Sequence, residues 1–310
     1  MNLKSILLGI ITGLIVFLSV LLLARKIDSK KKDVLSATPQ ESSQKATKTL
    51  AENSSIIEIT NFDDLKNHAK SKTGTYGIYI ENLNTKQKYT YNAQDSFYGA
   101  SLYKILVAGA VYDAISEDKL SFNYIYTYEN TDYTSGSGVL QNYAQGTTYS
   151  IDELLDFLLK SSDNIAQNIL ERNLEVKDII DFYKRHTKMP AEKQNFSNNL
   201  NTNPKEIAQI LTSIYQDSTW SKELKRDFFE RMTKTEFEDR IAQTLPLGAT
   251  FSHKIGNAPQ LSSWHDCGII FAKDFTQTTV VCLMSKNTQY EQFLEVSHGL
   301  GSFIKNTFAY

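Results

Sequence analysis

The chain has 310 residues, 41% of them hydrophobic and 22% charged, enough to bury a core of ordinary size in one large domain or two small ones. Its 33 basic and 35 acidic side chains leave a formal charge of −2, which gives no global attraction for nucleic acid. Two cysteines, Cys267 and Cys282, exclude a disulfide scaffold or a cysteine-rich zinc site, and five scattered histidines without HExxH spacing argue against a zinc protease.

Ile6 to Ala24 is a run without a charged residue, long enough at ~1.5 Å per residue to cross ~30 Å of hydrocarbon. A cleavable signal has a shorter apolar region of ~7–15 residues and a small-x-small cleavage site. Here the run ends in Ala24-Arg25-Lys26, so residues 1–26 read as an uncleaved single-pass membrane anchor. Lys4 lies before the run, and Arg25, Lys26, Lys30, Lys31 and Lys32 lie after it. Taken literally, the positive-inside rule keeps the bulk of the chain in the cytoplasm. The chemistry below requires the opposite side, and an extracytoplasmic domain at the cell membrane is the expectation. Residues 27–55 are polar and aperiodic, a disordered tether, and 56–310 form the expected folded domain.

Within that domain, Tyr76 to Glu81 and Lys88 to Tyr91 read as two strands around a turn at Asn82 to Thr85. Ile105, Leu106, Tyr112 and Ile115 predict a helix over about 101–116. Ser150-Ile151-Asp152-Glu153 is a capping box that opens a helix carrying Leu154, Leu155, Leu158 and Leu159. Asn203-Pro204 opens another, with Ile207, Ile210, Leu211 and Ile214. Cys267 to Ala272 and Thr278 to Leu283 predict a second hairpin, and an amphipathic stretch runs from about Tyr290 to Thr307. Strands from both ends must join one antiparallel sheet while the middle forms an all-helical lobe. The fold class is therefore α+β, with a site expected in the cleft between sheet and lobe.

Three short motifs carry chemistry. Ser101-Leu102-Tyr103-Lys104 is an S-x-x-K, Ser162-Asp163-Asn164 an S-D-N, and Lys254-Ile255-Gly256 a K-x-G. S-x-x-K also occurs elsewhere in the chain, including Ser29 to Lys32 and Ser42 to Lys45 in the tether. Only Ser101 opens a predicted helix, where residues three apart share a face and Lys104 can reach its hydroxyl. A serine needs a base, and a lysine serves as one only with a lowered pKa, which burial and a nearby cation such as Lys254 would supply. A helix start also leaves the Ser101 N–H free for an oxyanion.

In this order and spacing the motifs resemble the class A serine β-lactamases and the related penicillin-binding D,D-peptidases. The likeness spans most of residues 60–310 and includes Phe97, Ser135 to Gly138, and Ser162 to Leu170. It implies a β-lactamase/transpeptidase-like fold with Ser101 as nucleophile, Lys104 as its base, and Ser162 as proton relay to the leaving nitrogen. Lys254 would supply positive charge, Asn164 would bind the substrate amide, and Gly256 and Asn257 would lie in the binding strand. The Asn257 N–H would be the second oxyanion donor. A β-lactam or a peptidoglycan stem peptide is the implied substrate, with no metal or cofactor.

Three departures from the family pattern stand out. The family's β-lactamases carry a Glu-x-x-Leu-Asn whose glutamate activates the deacylating water. Here the matching loop, about His186 to Asn203, holds only Glu192, which reads as a solvated charge. Ile255 replaces the Thr or Ser of K-T-G, and Cys267 stands where an arginine often binds the substrate carboxylate. A penicillin-binding peptidase with slow deacylation is the resulting expectation. The rivals are a true β-lactamase and a non-catalytic binding module. His253 and His265 read as packing or surface residues, and Cys267 and Cys282 as small buried apolar residues, with a cross-strand disulfide as the alternative. The tyrosines of 124–149 read as cleft wall or core.

Overall fold

Alternate residues of the C-terminal strands face two different cores. This period of two is visible throughout the computed structural model, which describes residues 58–187, 201–272 and 277–308. Val280, Cys282 and Met284 pack with Ile269, Phe271 and the helical lobe, while Val281 and Leu283 pack with Ile270, Ile78 and Ile80 on the opposite face. A sheet buried on both sides explains why these segments read as continuous apolar runs.

The sheet contains β1 (Thr75–Asn82), β2 (Lys88–Tyr91), β7 (Thr250–Ala258), β8 (Ser263–Phe271) and β9 (Thr278–Lys286), in the order β2-β1-β9-β8-β7. Short pairs elsewhere are β3 (Phe97–Tyr98) with β6 (Asn201–Thr202), and β4 (Ile125–Thr127) with β5 (Thr148–Ser150). Every neighbour in the large sheet is antiparallel, and β1 joins β9 from Thr75↔Lys286 to Asn82↔Thr279. The two ends of the domain thus close one sheet, as the sequence predicts. Helices α1 (Phe62–Lys70) and α8 (Tyr290–Thr307) cover one face.

The other face carries α2 (Lys104–Ser116), α3 (Ile151–Lys160), α4 (Asn164–Asn173), α5 (Val176–Thr187), α6 (Pro204–Gln216) and α7 (Lys222–Arg231). Lys104 through Tyr112 are all buried, which makes α2 the axis of the lobe. A Cβ at Gly109 would lie 2.0 Å from the Phe182 ring, so the glycine lets α5 close on α2. The capping box at Ser150 forms, with Ser150 N donating to Glu153 Oε2 at 2.8 Å and Glu153 N to Ser150 Oγ at 3.2 Å. Asn203 caps α6 through a 2.9 Å bond from Glu206 N.

Two expectations need correction. The helix predicted from Ser101 begins at Lys104, and Ala100–Tyr103 is a separate 3₁₀ turn. Ala100 enters that turn with φ +47°, outside helical geometry, so no helix can run through it from the strand side. Cys267 and Cys282 are not unpaired: they oppose each other in the β8/β9 register, with Cα atoms 4.0 Å apart, and form a disulfide. The chain divides between Ser55 and Ile56, and every described residue belongs to the second unit. The expected anchor, the tether and Glu192 lie outside the described residues. Among the described residues no helix is long and apolar enough to cross a membrane.

Candidate active site

Ser101 sits in the 3₁₀ turn and Lys104 begins α2, which brings Lys104 Nζ to 3.2 Å from Ser101 Oγ. The lysine is fully buried. Its nitrogen also donates to Ser162 O at 2.6 Å and Asn164 Oδ1 at 2.7 Å, and lies 3.2 Å from Ser162 Oγ. Burial pushes its pKa down to about 7, against the carboxylates of Asp163 and Glu171, which push it up. A neutral amine has two N–H donors and one lone pair. The two shortest contacts use the donors and leave the lone pair for a serine hydroxyl.

The S-D-N turn is held by the loop that wraps over it. Ser162 adopts φ +55°, a left-handed backbone rare for a serine. Asp163 caps α4: Oδ1 accepts Ile165 N at 2.8 Å and Ala166 N at 3.0 Å, while Oδ2 accepts Leu140 N at 2.8 Å. Gly138 must be glycine, because a Cβ there would lie 2.1 Å from Asp163 Oδ2 at φ +105°. Asn164 N donates to Ser137 O at 3.0 Å, so the Ser135 to Gly138 stretch forms the wall beside Asn164.

Strand β7 supplies the second amine. Lys254 is 1% exposed and its Nζ donates to Ser162 Oγ at 2.9 Å and Ile255 O at 3.1 Å. Burial holds its pKa well below the usual lysine range, and the Lys104 and Arg240 charges push the same way. At Gly256 a Cβ would lie 2.7 Å from Gly99 O, so glycine lets β7 press against the segment that carries Ser101. Gly256 therefore acts by close approach, while Ile255 and Asn257 line the cleft. Behind Lys254, His253 Nδ1 meets Asp266 Oδ1 at 2.6 Å with both residues fully buried. Burial lowers the imidazole pKa, but Asp266 and Glu238 outweigh it and raise the value to about 9. His265 is pushed down to about 4, chiefly by burial, and contacts Tyr98 O at 2.6 Å. Both histidines pack inside the fold, as expected.

Arg240 escaped sequence reading because it stands in no motif. It is 1% exposed; Nη1 donates to His265 O at 2.6 Å and Nη2 to Asn257 Oδ1 at 2.7 Å. Its guanidinium is thereby held against Asn257, a residue that lines the cleft.

The cleft has a volume of about 670 Å³ and is lined by Ser101, Tyr103, Ser137, Ser162, Asn164 and Asn257, among others. Lys104 and Lys254 lie buried beneath it. No tyrosine between 124 and 149 lines it: Tyr128 and Tyr149 are core, whereas Tyr124, Tyr133 and Tyr143 are about half exposed. A metal is not needed to explain the residues gathered here, and no group of three or more His, Cys, Asp or Glu suited to a metal ion occurs among the described residues.

A serine-bearing turn, a buried lysine and a second serine bridging to a second lysine, set between an antiparallel sheet and a helical lobe, define the serine hydrolases of the β-lactamase type. Residues 61–308 match the beta-lactamase enzyme family, and the chain belongs to that family. It is 31% identical over 120 residues to beta-lactamase ROB-1 of Haemophilus influenzae, covering 39% of this chain and 38% of that one. The chain thus spans well under half the length of that relative. Beta-lactamase VEB-1 of Pseudomonas aeruginosa is 24% identical over 226 residues, covering 66% of this chain and 76% of the relative. Among solved structures, a mutant of PBP-A in acyl-enzyme complex with penicillin G superposes with a TM-score of 0.68 at 19% identity, covering 80% of this chain and 97% of that one. A beta-lactamase from Sphaerobacter thermophilus gives 0.70 at 18% identity, covering 79% and 97%.

Proposed function

We propose that the protein is a membrane-anchored, penicillin-binding serine acyl-enzyme whose Ser101 attacks the amide carbonyl of a β-lactam or of a D-Ala-D-Ala-type stem peptide. The observation that carries this reading is the unbroken chain Ser101–Lys104–Ser162–Lys254, with successive contacts of 3.2, 3.2 and 2.9 Å. As the Ser101 Oγ–carbon bond forms, Lys104 Nζ takes the hydroxyl proton and the carbonyl becomes an oxyanion facing the N–H groups of Ser101 and Asn257. Collapse breaks the carbon–nitrogen bond. The leaving nitrogen takes the Ser162 proton, and Ser162 is reprotonated from Lys104. Asn164 holds the substrate amide, and the Arg240 guanidinium behind Asn257 favours its carboxylate in place of the missing K-T-G hydroxyl, while Lys254, whose charge burial disfavours, acts as a donor to Ser162.

Slow deacylation follows from the sequence of 186–203, whose single acid Glu192 does not stand in the family's Glu-x-x-Leu-Asn pattern. One missing general base costs about 10²–10⁴ in rate. The run Ile6 to Ala24 serves as the anchor. An extracytoplasmic domain is supported by the Cys267–Cys282 disulfide, a bond that persists in oxidising compartments.

The named relatives favour a second reading, a true β-lactamase. Incubation of the protein with fluorescent penicillin, beside Ser101→Ala, separates the possibilities. A stable label that depends on Ser101 supports the proposal, rapid turnover supports a β-lactamase, and no Ser101-dependent label leaves a binding module. Protease accessibility on intact cells tests the orientation.

A further inference from the structure

We propose that the side-chain amide of Asn257, held in place by the buried Arg240, is the group that reads the substrate carboxylate and so sets the preference of this site for anionic substrates. The inference rests on the acyl-enzyme reading above.

Residues two apart on a strand share a face, so Asn257 follows Ile255 along the side of β7 that meets the cleft. Ile255 offers no hydrogen bond where the family pattern has a hydroxyl. None of the described residues that line the cleft carries a charge. Lys104, Lys254 and Arg240 stand behind that wall, each at most 1% exposed.

Asn257 bridges the gap. It is partly exposed, and its Oδ1 accepts from Arg240 Nη2 at 2.7 Å. A guanidinium only donates, so this bond fixes the amide: its oxygen faces Arg240, and its Nδ2 hydrogens point elsewhere. That nitrogen has no partner among the described residues. A cation donating to Oδ1 also polarises the amide and makes its N–H groups stronger donors.

Arg240 is short of negative charge. Its Nη1 donates to His265 O at 2.6 Å, its Nε has no hydrogen-bond partner, and its ion pair with Asp239 is long, at 3.8 Å. Asp239 is shared with the Tyr290 hydroxyl, which donates to it at 2.6 Å. A buried cation so weakly paired favours an anion on the far side of Asn257. Gln260 is exposed at the same rim, but its side chain has no hydrogen bond to orient it among the described residues.

The test uses the full chain in detergent micelles and compares benzylpenicillin with its methyl ester, which lacks the anion. Each compound competes with fluorescent penicillin for Ser101, and circular dichroism checks the fold. The parent should prefer the acid. In Asn257→Ala that preference should fall about ten- to hundredfold, with acylation by the ester changed much less. Asn257→Asp keeps the shape and the bond to Arg240 but opposes the substrate carboxylate with another, so the preference should fall at least as far; it carries the test if Asn257→Ala fails to fold. Gln260→Ala should keep the parental preference. A preference within about threefold of the parent's in folded Asn257→Ala, or its loss in Gln260→Ala instead, overturns the inference. Calorimetric binding of both compounds to Ser101→Ala separates this inference from the reading beneath it. If the parent shows no Ser101-dependent label, yet Ser101→Ala prefers the acid and loses that preference when Asn257→Ala is added, the acyl-enzyme reading fails and the role of Asn257 stands. No preference for the acid in either measurement overturns it.

Discussion

Lys254 Nζ donates to Ser162 Oγ at 2.9 Å, and both residues are 1% exposed. The Ser162 hydroxyl is thereby gripped from the sheet side, while Lys104 approaches it at 3.2 Å from the lobe. Replacing Lys254 by Met keeps the buried stem and removes the amine. The expected result is acylation by penicillin slowed about 10²–10³-fold with the fold retained, measured by labelling rate and circular dichroism. An effect below threefold would remove Lys254 from the relay.

The Lys104 pKa of about 7 sets a pH dependence. The amine must be neutral to accept the Ser101 proton, so the acylation rate should climb about tenfold per pH unit below 7 and flatten above it. Rates of label incorporation between pH 5 and 9 check the sign; a rate that falls as pH rises through 7 contradicts it.

Behind the site, the His253–Asp266 pair is a buried ion pair. The folded imidazole is raised from 6.5 to about 9, so its contribution to stability is complete below 6.5 and lost as pH rises through 9. Asp266→Asn should destabilise the domain by about 3–5 kcal/mol near pH 6. Denaturant titration of the two proteins should show that difference shrinking toward pH 9.5.

Gly256→Ala brings a methyl to 2.7 Å from the Gly99 carbonyl, a backbone atom that cannot swing aside. Overpacking of this kind costs about 1–3 kcal/mol. The movement it forces separates β7 from the nucleophile turn, so a fall in melting temperature should accompany acylation at least tenfold slower.

The sequence makes the motifs and the sheet legible for a physical reason: both are written in local spacing. Continuous apolar runs announce β8 and β9, aromatic and β-branched residues beside a turn announce β1, and the caps at Ser150 and Asn203 announce α3 and α6, each through groups a few residues apart. The family resemblance then joins Ser101, Ser162 and Lys254, and the geometry brings them together. What stayed hidden depends on partners far along the chain. Arg240 acquires meaning only beside Asn257 and His265. The 3₁₀ turn over Ala100–Tyr103 that precedes α2, entered through a left-handed Ala100, is a backbone feature that no hydrophobic pattern records.

The left-handed Ser162 carbonyl is tied to Lys104 by the shortest of that amine's contacts, at 2.6 Å. A nitrogen that picks up a proton gains a third donor, so in the proposed cycle the amine holds an extra tether only for the life of the tetrahedral adduct. Once it has reprotonated Ser162 and left the acyl group behind, that tether is released, which makes one side chain both the proton store and a clasp on the transient species.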